Sequence, residues 1–306
     1  MSKHRIFVTG ATGYLGSAIA ARLVRSGHDV TGLTRDLQSA RTLEQAGIKP
    51  VVGDLADSES WIGVLQNCDS AVHAAFDAST GASAADHHAL EAFRLAALDG
   101  RLRRVLYTSG IWVMGPTGGE VLDEPAPLKP LEISQWRAAH EEIAIDLSTH
   151  EVATIVLRPG MVYGEGRGIL GSWFAEAQRE RTVTYPGDGA QHWAMVHRDD
   201  VAEAYALALE DGKAGERYLL CDESRLTVKQ MAEAAAAAAG ATTRSLPADE
   251  VLQKLGVYGK ALLADAQYTA AKARRELGWV PRHTSFVNEA PQLWREWQEA
   301  RAAKVA

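Results

Sequence analysis

The sequence predicts an α/β protein, a doubly wound parallel sheet with a smaller C-terminal lobe interleaved with it. Three observations carry this. Short apolar runs alternate with helix-length amphipathic stretches over residues 1–160, a pattern that implies a parallel sheet covered on both faces. The first run leads into glycines at positions 10, 13 and 16, just before a helix. Past Pro159 the alternation gives way to loops punctuated by Gly164, Gly166, Gly168, Gly171, Gly187 and Gly189.

Taken in order, Ile6-Phe7-Val8 reads as a buried strand, and Ser17 to Val24 as a helix ending at Gly27. Strands follow at His28–Thr34, Pro50–Leu55, Ser70–Ala75, Arg104–Ser109 and Ala153–Arg158. Helices are expected over Ser58–Gln66 with Ser58 as N-cap, over about Ala84–Leu98, and over Ile133–Ser148. In the second half, Asp199–Glu210 reads as a helix capped by Asp199. Arg217–Leu220 reads as a strand, and Thr227–Ala239 as a helix stopped by Gly240. The division is 1–160 for the sheet domain and 161–306 for the smaller lobe, with the segment about 192–222 returning to the sheet.

A strand, a tight glycine turn and a helix start make an anion site. Unpaired backbone N–H groups and the helix dipole point at one place, and a Cβ there would hold a pyrophosphate off the backbone. The turn therefore predicts a dinucleotide cradle on Gly10, Gly13 and Gly16. The net charge of −7 argues against a general nucleic-acid or anionic-membrane surface. No run reaches the roughly 18 apolar residues of a membrane span, and no signal peptide is expected, so a cytoplasmic protein is the default. Cys68 and Cys221 stand far apart and suggest neither a disulfide framework nor a metal cluster. The adjacent His87 and His88 point apart on a helix and make no metal site.

Thr9-Gly10-Ala11-Thr12-Gly13-Tyr14-Leu15-Gly16 resembles the opening of the extended short-chain dehydrogenase/reductase family. That family includes NAD-dependent epimerases, dehydratases and dihydroflavonol-reductase-like enzymes. The resemblance continues through Gly53-Asp54-Leu55, His73-Ala74-Ala75, Tyr107-Thr108-Ser109 and Leu157-Arg158-Pro159-Gly160-Met161-Val162-Tyr163-Gly164. It resumes at Val196–Ala202 and Glu276–Pro281, and so covers nearly the whole chain. It implies a Rossmann-type domain with cofactor contacts from Gly10, Thr12, Gly13, Tyr14, Leu15 and Gly16 in the turn. Asp54 and Leu55 would face the adenine, Ala74, Ala75 and Thr108 would lie beneath the cofactor, and Pro159, Gly160 and Val162 would lie near the nicotinamide.

The position about 20 residues beyond the glycines selects the dinucleotide, because an acid there binds the ribose hydroxyls and repels a 2′-phosphate. Here the second strand ends Thr34-Arg35-Asp36. Arg35 is a phosphate ligand, so NADP(H) is favoured, while Asp36 leaves NAD(H) open should the strand end one residue later. The resemblance to the Val-Arg-Asp of dihydroflavonol-reductase-like members points the same way.

The active-site pattern departs from the family. Members carry Tyr-x-x-x-Lys on the helix before the sixth strand, where the tyrosine exchanges a proton and the lysine holds the nicotinamide ribose. This helix reads Gln135-Trp136-Arg137-Ala138-Ala139-His140, with Trp136 in the tyrosine place and His140 in the lysine place. An indole N–H donates a hydrogen bond but is no usable acid near neutrality. Imidazole is the side chain suited to proton exchange there. The catalytic expectation is therefore Ser109 holding a carbonyl oxygen, Trp136 lining the pocket, and the proton coming from His140, Tyr163 or water. His140 would also bond the ribose in lysine's stead. Arg137, Glu141 and Glu142 are expected on other faces, in solvent. The reading is an NADP(H)-dependent reductase of a small carbonyl compound. The alternatives are an NADP(H)-binding regulatory protein with little catalysis and a nucleotide-sugar epimerase or dehydratase. A two-fold homodimer is a further expectation.

Overall fold

The computed structural model describes residues 3–76, 81–150 and 152–305. The first half alternates as the sequence predicts. Its elements are β1 (Arg5–Thr9), α1 (Tyr14–Arg25), β2 (Asp29–Thr34), α2 (Leu37–Gln45), β3 (Lys49–Val52) and α3 (Ile62–Leu65). There follow β4 (Ser70–His73), α4 (Ala82–Asp99), β5 (Arg104–Thr108), α5 (Gln135–Asp146) and β6 (Ala153–Pro159). The second half holds β7 (Met161–Tyr163), α6 (Gly168–Glu180), β8 (Thr182–Pro186), β9 (Met195–His197), α7 (Arg198–Asp211) and β10 (Arg217–Leu220). It ends with α8 (Val228–Ala239), β11 (Thr242–Leu246), α9 (Ala248–Leu263), α10 (Ala271–Leu277) and α11 (Phe286–Val305).

Seven strands form one parallel sheet in the order β10-β6-β5-β4-β1-β2-β3. β1 lies between β2 and β4, with Val8 opposite both Gly32 and Val72. Helices cover both faces there, so Ile6, Phe7 and Val8 are all fully buried. The chain reverses its direction of winding between β1 and β4. Parallel sheets open a ligand crevice at that point, beyond the carboxyl ends of the strands.

Two local expectations are corrected, and one left open is decided. Residues 58–66 do not make one helix: a 3-10 turn at Ser58–Ser60 is broken from α3 by Trp61. Trp61 is buried, stacks on Phe7 at 5.5 Å, and donates from its indole to Asp54 O. Burying that ring outweighs the continuity of a short helix. Asp199 does not cap α7. His197 does, its Nδ1 accepting from Asp199 N at 3.2 Å. The strand–helix boundary at β2 is settled by Asp36, which caps α2 by accepting from Ser39 N at 2.8 Å.

The smaller lobe rests on two short parallel pairs, β7–β9 and β8–β11. Its core gathers Tyr163, Trp173, Phe174, Trp193, Phe286 and Trp297. Trp294 and Trp297 stack at 5.0 Å along one side of α11, as their spacing predicts. The lobes are tied at the glycine turn: Tyr14 OH donates to Gly164 O at 2.8 Å, and Arg198 donates to Tyr14 O at 2.6 Å. Among the described residues, no helix is long and apolar enough to cross a membrane.

Candidate active site

A cavity of about 710 Å³ lies along the carboxyl ends of β1, β2, β4, β5 and β6. Its first wall is the glycine turn. Gly10 has φ +69°, and a Cβ there would fall 2.7 Å from the Ala74 carbonyl and the Ala75 Cα. Gly13 N donates to Gly10 O at 2.8 Å, and no side chain caps α1. In contrast, α2 and α8 are capped by Asp36 and Thr227. The first N–H groups of α1 thus have no side-chain cap and stand where Gly13, Tyr14 and Leu15 line the cavity, which fits a bound pyrophosphate. Gly16 does not line the cavity. Its Cβ would meet Gly10 O, so it serves the close approach of α1 to the turn.

Thr12, Gly13, Tyr14, Leu15, Asp54, Leu55, Ala74, Ala75, Thr108, Pro159, Gly160 and Val162 all line the cavity. Arg35 lines it too and is exposed, whereas Asp36 is turned into the α2 cap. The bonds from Ser39 hold the Asp36 carboxyl below its usual range. The other end is walled by Phe76, Ile111, Trp112, Ile133, Trp136 and Tyr258. Tyr258 reaches this wall from α9, which breaks its helical geometry at Gly256 (φ +52°). Ser109 also lines the wall, and its Oγ is buried with no partner among the described residues. A buried hydroxyl is rarely left so, and this one belongs to a residue of the cavity wall.

His140 is 7% exposed and sits behind the wall rather than in it. Trp136 covers it edge-to-face at 5.1 Å. Its Nδ1 lies 2.7 Å from Asp86 Oδ2, and its Nε2 lies 3.5 Å from Ser83 Oγ. The same carboxylate accepts from Tyr107 OH at 2.8 Å and pairs with His73 Nε2 at 3.0 Å. His73 Nδ1 pairs in turn with Thr9 Oγ1 at 2.8 Å. Burial alone would raise the Asp86 pKa, but His73, His140 and Arg137 outweigh it and hold the carboxyl well below the usual range.

Tyr163 is not placed to give a proton to this cavity. It is fully buried in the small-lobe core between His197 and Phe286, and its OH has no partner among the described residues. Burial, with Asp222 adding to it, pushes its pKa far up. His197, Asp199 and His283 bring potential ligand atoms together. However, the two imidazoles stack at 3.6 Å, so their in-plane lone pairs do not converge on one ion.

Two expectations on α5 fail. Arg137 is not in solvent. Its side chain is 12% exposed, lies over Trp136 at 4.4 Å, and donates from Nη1 to Thr108 O at 2.8 Å. Helix geometry places its Cα off the Trp136 face, but a long arm reaches around the turn and buries its stem. Glu141 is fully buried against Arg158, with bonds of 2.9 and 2.5 Å, whereas Glu142 is exposed and pairs with Arg217. Asp86 went unpredicted as well. Its signal is visible in hindsight: 86, 89, 90, 93, 96 and 97 form the buried face of α4, and Asp86 is the acid on that stripe.

Residues 6–221 match the model of the NAD-dependent epimerase/dehydratase family. An uncharacterized protein of Schizosaccharomyces pombe is 30% identical, covering 93% of this chain and 97% of its own. A 4-hydroxy-2-methyl-3-oxo-4-farnesyl-3,4-dihydroquinoline-1-oxide ketoreductase of Stigmatella aurantiaca is 28% identical, covering 92% and 93%. Among solved structures, a dTDP-glucose 4,6-dehydratase of Streptomyces venezuelae with bound NAD superposes with a TM-score of 0.81 at 22% identity, over 97% of this chain and 98% of that one. The glycine cradle, the crevice at the reversal of the sheet and this match converge: the chain belongs to the NAD-dependent epimerase/dehydratase family and is an NAD(P)-dependent oxidoreductase.

Proposed function

We propose that this oxidoreductase prefers NADP(H) and reduces a small carbonyl compound. One observation carries the preference: Arg35 lines the cavity while Asp36 spends its carboxylate on the α2 cap. No acid then stands where a 2′-phosphate would lie, and a guanidinium does. The ketoreductase from Stigmatella and a 2-alkyl-3-oxoalkanoate reductase of Stenotrophomonas maltophilia, 26% identical, support the reductase reading.

When bound, the reduced dinucleotide supplies a hydride to the carbonyl carbon, while the oxygen takes a proton, giving the alcohol and the oxidised dinucleotide. Ser109, in the cavity wall and with an Oγ unpartnered among the described residues, holds the carbonyl oxygen. Trp136 walls the substrate side and excludes water. Asp86 orients His140 through Nδ1, so that Nε2 faces the Ser83 hydroxyl. His140 supplies the proton by that route. General acids of this kind contribute about 10²–10⁴-fold. His140→Ala is expected to lower turnover at least tenfold, and His140→Ala with wild-type kcat and cofactor affinity would remove His140 from the mechanism.

Tryptophan fluorescence titration with NADPH and NADH tests the cofactor half. NADPH is expected to bind at least tenfold more tightly, and Arg35→Ala should bring the two within threefold. Equal affinities in the wild type would overturn the preference. A second reading, a dinucleotide-binding regulatory protein, is favoured by Trp136, which puts no acid at the wall. It is selected if NADPH binds tightly but no aldehyde or ketone is turned over.

A further inference from the structure

Arg137 is a largely covered cation, its side chain 12% exposed, in the wall of a mainly apolar cavity. Among the described residues its direct hydrogen bond is the one from Nη1 to Thr108 O, at the end of β5 beside Ser109. The nearest carboxylate oxygen, Asp86 Oδ1, is 3.9 Å away and already pairs with His73, while Oδ2 serves His140 and Tyr107. Asp86 is therefore shared, and the Arg137 charge is only partly balanced. Both indole and benzyl faces support it, Trp136 at 4.4 Å and Phe76 at 5.3 Å. Aromatic rings at these distances stabilise the guanidinium charge without using its N–H donors. A largely covered, partly balanced cation at a cavity wall favours an anionic partner there.

We propose that Arg137 is the anion-binding residue of the substrate compartment, and that the substrate is an oxo acid with an apolar or aromatic body. The inference rests on the reductase reading and narrows it. The fork of Arg137 takes the carboxylate through charge-assisted bidentate bonds. Ser109, next to Thr108 on the same strand end, takes the carbonyl oxygen. Trp112, Ile133 and Tyr258 receive the apolar body.

The test compares 4-oxo-4-phenylbutanoate with its methyl ester as substrates, and 4-phenylbutanoate with its methyl ester as calorimetric ligands of the NADP⁺-loaded protein. The wild type should favour each acid at least tenfold, in kcat/KM and in Kd. In Arg137→Gln the acid-to-ester ratio should fall to within threefold, with the change in KM, and Arg137→Lys should restore part of it. Thermal unfolding checks that both variants fold. Acid and ester handled alike by the wild type, or a preference that survives Arg137→Gln, overturns the proposal. So does a variant whose NADPH affinity falls while the acid-to-ester ratio stays, since Arg137 would then serve the cofactor. If the acid binds selectively but nothing is reduced, the reductase reading fails and the anion site stands.

Discussion

Glu141→Ala is expected to destabilise the protein by about 3–5 kcal/mol, because it leaves a buried guanidinium without its carboxylate. Glu141 and Arg158 are 0% and 1% exposed at their side chains and share two bonds. Among the described residues, the remaining hydrogen-bond partner of the Arg158 head is Met114 Sδ at 3.0 Å, a weak acceptor. The contrast is Lys49–Asp29, whose lysine is 67% exposed and whose removal should change stability by no more than about 1 kcal/mol. Arg158 lies directly before Pro159 and Gly160 in the cavity wall, so the loss should also loosen the nicotinamide end. Urea denaturation of wild type, Glu141→Ala, Arg158→Met and the pair Glu141→Met/Arg158→Met measures this. The double apolar variant should recover most of the stability, because a well-packed apolar pair often replaces a buried ion pair at little cost. A Glu141→Ala loss below 1 kcal/mol would show that the pair is solvated in practice.

Gly10→Ala has the largest effect expected on binding. The residue sits at φ +69°, and its new Cβ would press on the backbone of Ala74 and Ala75, which cannot swing aside as a side chain can. Left-handed strain and overpacking together amount to about 2–4 kcal/mol. Falling on the binding-competent turn, that weakens dinucleotide affinity roughly 30- to 700-fold. Gly27→Ala is the control: φ is +87° but nothing lies within 4 Å of the added Cβ, so it should strain the backbone without touching the cofactor. Fluorescence titration of the two variants separates strain from obstruction. Wild-type NADPH affinity in Gly10→Ala would mean that the pyrophosphate binds elsewhere.

Much of this architecture is legible in the sequence because its signals are local. Strand–turn–helix punctuation, Arg35 at the end of β2 and the Trp136/His140 spacing each need only a short window of residues. The site's electrostatics are not local. Asp86 gathers partners from β4, β5 and α5, which meet only after the sheet forms. Arg137 and Glu141 share the i, i+3, i+4, i+7 stripe of α5 with His140 and Ala144, and it is their charge rather than the helix period that reads as solvent-facing. The broken helix at 58–66 failed for a non-local reason. The pull on Trp61 comes from Phe7 and Phe93, more than 30 residues away in either direction. Tyr163 was misplaced because its strand ends beside the cavity while its ring enters the other core.

The sheet's outer strand, β10, comes from residues 217–220 and lies against β6, laid down some 60 residues earlier. During synthesis, β6 must therefore wait with a bare edge while the small lobe's first strands and α6 emerge. Parallel pairing over such separations is slow and exposes unpaired edges to other chains. A nascent chain stopped near residue 200 should thus be the most aggregation-prone length. It carries six strands of the sheet and a long apolar edge, but not the strand that closes it.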